Sequence, residues 1–148
     1  MTAYFDTGVL IKSYIAEKDS PVADALILKA LEPIPFTHFH GIEIRTALRL
    51  KRGRKEITDA ELKNALSALQ QDIDAGRLER PSYDLSIVFH KAEELSGKYA
   101  AATLARSLDI LHVAAAVVIG ANQFITFDRR QEALALKAGL TLKAPTLP

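Results

Sequence analysis

The stretch from Leu108 to Gly139, LDILHVAAAVVIGANQFITFDRRQEALALKAG, runs through three kinds of pattern in succession. Leu108 to Ile119 is apolar nearly all round, the mark of a buried helix. Phe124-Ile125-Thr126-Phe127 is a short run of β-formers and reads as a strand. Arg129 to Ala138 returns to helical spacing and is closed by Gly139, after which Thr141-Leu142 starts a further strand. Helix, strand, helix and strand in one stretch mean an alternating α/β chain.

The same alternation continues toward the N-terminus. Tyr4-Phe5 ends a first strand, and helices follow from Thr7 to Ile15 and from Ser20, capped with Pro21 in its first turn, to Ala30. Pro35-Phe36-Thr37 is a second strand, and Gly41 to Lys51 a helix with Ile42, Ala47 and Leu48 on its apolar side. Thr58-Asp59-Ala60-Glu61 is a capping box. It opens a helix to Ala75 with Leu62, Ala65, Leu66, Leu69 and Ile73 at helical spacing, stopped by Gly76. Leu78-Glu79-Arg80 is a third strand ended by Pro81, and Ser82 or Asp84 caps a helix to Ser96. The prediction is an α/β chain with a mostly parallel sheet of about five strands, covered on both faces.

Bulk properties set bounds. A length of 148 residues fits a single domain over 1–148. No cysteine is present, which excludes disulfides and thiolate metal sites and suits a cytoplasmic protein. The N-terminus lacks the basic and apolar regions of a secretory signal. The longest apolar run, Val113 to Ile119, falls far short of the roughly 20 residues a membrane span needs. A net charge of +1 neither demands nor excludes nucleic acid, so local charge must decide.

Four acidic residues sit where acids are unusual. Asp6 and Asp128 each follow a strand and open a helix, the place where ligands gather in parallel α/β sheets. Helix capping is the plainer reading of each. Glu43 enters a helix after a strand, where the plain reading is a partner for the helix dipole. Asp109 opens the most apolar helix in the chain, where a carboxylate must be paired, capped or metal-bound. Four carboxylates brought together repel, and a hard divalent ion such as Mg²⁺ or Mn²⁺ relieves that cost. Such an ion activates water and steadies charge on a phosphodiester. The hydroxyls of Thr7 and Thr126 are placed to support the acids.

At this point the residues resemble a known family. Tyr4-Phe5-Asp6-Thr7-Gly8-Val9-Leu10, Ile42-Glu43-Ile44-Arg45-Thr46-Ala47-Leu48, Arg106-Ser107-Leu108-Asp109-Ile110-Leu111-His112-Val113-Ala114-Ala115-Ala116 and Phe124-Ile125-Thr126-Phe127-Asp128 are similar, in order and spacing, to the motifs of PIN-domain proteins. The resemblance covers nearly the whole chain and is nearest to the VapC-type toxins of toxin–antitoxin pairs. It implies a PIN-like α/β/α sandwich and a Mg²⁺- or Mn²⁺-dependent endoribonuclease that hydrolyses RNA with a metal-activated water. It implies a homodimer and a cognate antitoxin protein as partners. It assigns Asp6, Glu43, Asp109 and Asp128 as the metal-binding, catalytic acids, with Thr7 and Thr126 behind them. Position 8, often Ser in that family, is Gly here, which removes one hydroxyl.

Around these acids lie basic residues. Arg45 and Arg49 share the helix of Glu43, and Arg129 and Arg130 follow Asp128; these are candidates to hold RNA phosphates. Lys51 to Lys55 read as a solvated helix end. His38 and His40 flank Phe39 at a strand end and fit loop or capping roles better than zinc ligation. His112, one turn after Asp109, either bonds Asp109 or sits satisfied in the core, and His90 is a surface residue. Two rival readings exist. A catalytically dead PIN-like binding module is expected to lack an acid, and all four are present. A receiver-type signalling domain accounts for Thr126 and Lys143, but Leu78-Glu79-Arg80-Pro81 offers no phospho-acceptor.

Overall fold

Alternation of side chains along two neighbouring strands divides the core. Tyr4 and Phe124 face one layer, Phe5 and Ile125 the other, and all four are buried. The computed structural model describes residues 2–30 and 33–142. Its elements run β1 (Ala3–Phe5), α1 (Thr7–Leu10) continued by a 3-10 turn (Ile11–Ser13), α2 (Ser20–Leu28), β2 (Ile34–Pro35), α3 (His38–Gly53), α4 (Asp59–Asp74), β3 (Leu78–Glu79), α5 (Leu85–Thr103), α6 (Ser107–Val118), β4 (Gln123–Ile125), α7 (Arg129–Lys137) and β5 (Thr141–Leu142). Lys143 lies outside the described residues. No helix among the described residues is long and apolar enough to cross a membrane.

The chain is α/β with parallel strands, as the alternation predicts. One layer joins β1 and β4 to α5, α6 and α7 through Tyr4, Val88, Leu95, Val113, Phe124 and Leu134. The other joins them to α1 through α4 by way of Phe5, Val9, Leu10, Ile44, Leu48 and Leu69. Burying each such side chain stabilises the fold by about 1.5–3 kcal/mol.

The sheet is not one five-stranded unit. Among the described residues, β1, β4 and β5 form a three-stranded parallel sheet, and β2 pairs only with β3. The reason lies in two prolines. Ile34 and Phe36 aim their N–H groups at Arg77 and Glu79 of the β3 segment. The alternate positions, Pro33 and Pro35, face β1 and have no N–H to give. β2 packs against β1 without a ladder. The carbonyl of Phe5 is satisfied instead by the His40 side chain, Nε2 lying 2.7 Å away.

Helix ends mostly follow the sequence. Thr58 and Glu61 make their reciprocal box, and Asp84 caps α5. Two helices are longer than the pattern suggests. α3 starts at His38 because Thr37 caps it, with His40 closing the box in place of the usual Glu or Gln. Its apolar face is Ile44 and Leu48, whereas Ile42 is exposed. α5 runs past Gly97 to Thr103, since Tyr99 and Ala100 pack on the core and outweigh the roughly 1 kcal/mol a mid-helix glycine costs.

Candidate metal centre

Parallel pairing of β1 with β4 sets two strand ends side by side, and the N–H of Asp6 donates to Ile125 O at 2.9 Å. Asp6 leaves β1 as the cap of α1, and Asp128 leaves β4 as the cap of α7. Both capping readings are therefore realised. Neither exhausts its residue.

Asp6 is held from several sides. Its carboxylate accepts from Gly8 N at 3.3 Å and from Gln131 Nε2 at 3.2 Å, with the Thr126 hydroxyl 3.5 Å away. A Cβ at position 8 would lie 3.1 Å from Asp6 Oδ2, so glycine there gives the carboxylate room. Burial pushes the Asp6 carboxyl above the usual carboxylate range; the neighbouring His112 ring opposes the rise and Glu43 adds to it.

Glu43 lies in the second turn of α3, not the first, because that helix begins at His38. A dipole partnership is thereby excluded as its reason. It accepts from His112 Nε2 at 2.9 Å. Burial works to raise Glu43, but the hydrogen bonds from His112 and Thr7 outweigh it and hold the acid below its usual value. Thr7 is buried, its hydroxyl 3.3 Å from the same Nε2.

Asp109 sits in the first turn of α6, where the backbone N–H of Arg106 reaches its carboxylate. Its carboxyl is pushed up by burial first, then by the charges of Asp6, Asp128 and Glu43. That mutual repulsion shows that the four acids of the sequence motifs share one electrostatic neighbourhood. Glu43, Asp109 and Asp128 line one cavity of about 590 Å³ together with Arg106, Leu108, Arg129 and Arg130. Asp6 is set deeper, at the strand end.

Of the proposed phosphate-binding residues, Arg129 lines the cavity, joined by Arg130. Arg45 and Arg49 do not; Arg45 folds back along α3 to the Gly41 carbonyl at 3.4 Å. Three participants escape a reading of the sequence alone. Gln131, wholly buried, ties the site together by accepting from the Thr126 hydroxyl at 2.8 Å and donating to Asp6. Its position three residues after the cap Asp128 is the available sign. Arg106 lines the cavity from the cap of α6. His112 bonds Glu43 rather than Asp109. His40 proves to be a capping and strand-edge residue, and His38 meets the Tyr83 hydroxyl.

The donor set suits a hard divalent cation. One candidate triad, Asp6, Glu43 and His112, brings ligand atoms within 4.8 Å of one another. Carboxylate oxygens dominate the neighbourhood, and their mutual repulsion is what a divalent charge relieves. Asp109→Asn is expected to raise the melting midpoint of the metal-free protein, by no more than about 2–4 °C because solvent screens a half-exposed carboxylate. The sign follows from linkage: an acid whose carboxyl is raised in the fold costs stability while ionised, and falling pH relieves that cost. Differential scanning fluorimetry in a chelator measures it; a lower midpoint contradicts the repulsion.

No family model and no curated protein matches the sequence. The fold, however, is shared with solved structures. FitAcB from Neisseria gonorrhoeae superposes with a TM-score of 0.70 at 18% identity, covering 97% of this chain and 98% of that one. VapBC2 from Rickettsia felis, solved bound to a DNA fragment from its promoter, gives 0.66 at 16% identity with the same coverage. The chain thus has the PIN/VapC-like fold that its four motifs resemble.

Proposed function

We propose that this protein is a divalent-metal-dependent endoribonuclease and the toxin of a toxin–antitoxin pair. The observation that carries the reading is the joining of three acids, with Asp6 set behind them, to three arginines around one open cavity at the C-terminal edge of a parallel sheet. Asp6, Glu43, Asp109 and Asp128 are the residues to hold Mg²⁺ or Mn²⁺, with Thr7, Thr126 and Gln131 fixing the acids in place. The bound ion supplies Lewis acidity at the phosphodiester and lowers the pKa of water for in-line attack. Among the described residues, no ion pair joins Arg106, Arg129 or Arg130 to the carboxylates of the same cavity. Their guanidinium donors are left for backbone phosphates. The likeness to FitAcB and VapBC2 supports an antitoxin as protein partner, and the family resemblance a homodimer.

Titration tests the cation directly. Millimolar Mn²⁺ or Mg²⁺ is expected to raise the melting midpoint of the protein, since a ligand held by the native state alone stabilises it by RT ln(1 + [L]/Kd). At a concentration 100 times Kd the gain is about 2.7 kcal/mol. RNA cleavage is expected to vanish in EDTA and return with Mn²⁺. A midpoint indifferent to both ions, or cleavage that survives chelation, removes the reading.

A further inference from the structure

His112 is wholly buried on α6, one turn beyond Asp109, with both ring nitrogens engaged. Nδ1 lies 2.7 Å from the Tyr4 hydroxyl. Nε2 lies 2.9 Å from Glu43 Oε1 and 3.3 Å from the Thr7 hydroxyl. The ring is wedged by His40, whose centroid is 4.6 Å away, and edge-on to Phe39 and Tyr4. Tyr4 is itself stacked on Phe124 at 5.4 Å and 10°, with the Thr37 hydroxyl at 3.5 Å.

Bonding roles follow from chemistry. A carboxylate only accepts, so the hydrogen between Glu43 and His112 belongs to Nε2. The Tyr4 hydroxyl is the natural donor to Nδ1, and Thr37 stands behind it. Hydrogens therefore point one way, from Tyr4 through the imidazole to Glu43. A nitrogen that carries hydrogen has no lone pair for a cation. The imidazole lies among the ligand atoms of the candidate triad, yet its bonds are those of a group that orients a ligand.

We infer that His112 is a positioning residue: a Tyr4–His112–Glu43 relay, anchored in the core, fixes the Glu43 carboxylate for the cation, and His112 itself is not a ligand. This rests on the divalent-cation reading of the same site. It gives the buried polar pair a purpose that packing alone does not, for an isosteric apolar pair fills the same space at no desolvation cost.

The test uses full-length protein and Mg²⁺, which is diamagnetic. ¹⁵N-correlated NMR of the histidine rings reports His112 directly. Its Nε2–H is expected in metal-free protein and to persist at saturating Mg²⁺. Loss of that hydrogen on Mg²⁺ addition makes His112 a ligand and overturns the proposal. His112→Leu is expected to weaken Mg²⁺ binding about 10–100-fold by calorimetry, the usual cost of removing such a partner. His112→Gln, whose amide N–H₂ replaces Nε2–H, is expected to recover most of the affinity. Tyr4→Phe keeps the ring stack and is expected to weaken binding less than His112→Leu while loosening the Nε2–H, seen as faster solvent exchange. If the position 112 variants fail to fold, Tyr4→Phe and the wild-type spectrum still decide. Wild-type affinity in Tyr4→Phe, with unchanged exchange, overturns the relay. A wild-type protein that takes up no Mg²⁺ shows a flat titration and fells the nuclease reading first, the positioning role with it.

Discussion

Asp6→Asn combined with Asp109→Asn is expected to yield a folded protein whose RNA cleavage falls by roughly 10³-fold or more, equivalent to about 4 kcal/mol of transition-state stabilisation. The two carboxyls sit among the four acids from opposite directions, one at the end of β1 and one at the start of α6. Each substitution removes a negative charge from the proposed cation site. The fold survives because asparagine caps a helix as well as aspartate does. At position 6 the one amide oxygen keeps the capping bond from the Gly8 N–H while the bond from Gln131 Nε2 is lost, and the amide oxygen introduced in α6 can still accept from Arg106. The prediction therefore separates chemistry from stability. Cleavage is followed on a labelled RNA in Mn²⁺, beside a thermal melt of the same sample. A double variant that cuts at the wild-type rate shows that the site is misassigned.

Phe124→Ala is expected to cost about 3–5 kcal/mol, as large-to-small changes at buried aromatics do. At this chain length that lowers the melting midpoint by roughly 6–20 °C. Phe124 is fully buried in the central strand of the three-stranded sheet and stacks on Tyr4. Its loss empties the centre of one core layer and unseats the ring that holds His112. Urea titration gives the stability. A loss under about 1 kcal/mol, well below the usual cost of such a cavity, shows that the layer collapses around the gap and that Phe124 is not central to it.

The alternation of elements is legible because each carries its own local mark. Thr58 and Glu61 sit three apart as a capping box requires, Asp84 and Asp128 cap where they stand, and Gly139 adopts a φ of +90°. What escapes the sequence depends on partners distant along the chain or on an unusual one nearby. α3 begins earlier than its spacing predicts because an imidazole, His40, closes its box. The split of the sheet requires knowing which edge of β2 faces β1; only then do Pro33 and Pro35 become missing donors. The four acids are legible as residues out of place, and motif order joins them. Gln131 is hidden because, read locally, it is an ordinary third residue of a helix, whereas its side chain serves Asp6 across the site. For His112 the spacing offers only its helical neighbour Asp109 or the core, whereas its partner, Glu43, lies on α3.

The seam left by the two prolines runs between the strand that delivers Asp6 and the strand that leads to Glu43. Across it, the joints are a histidine against a carbonyl and a tyrosine against a threonine, not rungs of a ladder. Main-chain rungs would freeze the gap between those two oxygens to a single width. Side-chain clasps are more compliant than rungs, so the gap between Asp6 and Glu43 is the dimension of the proposed cation site least tied to the sheet.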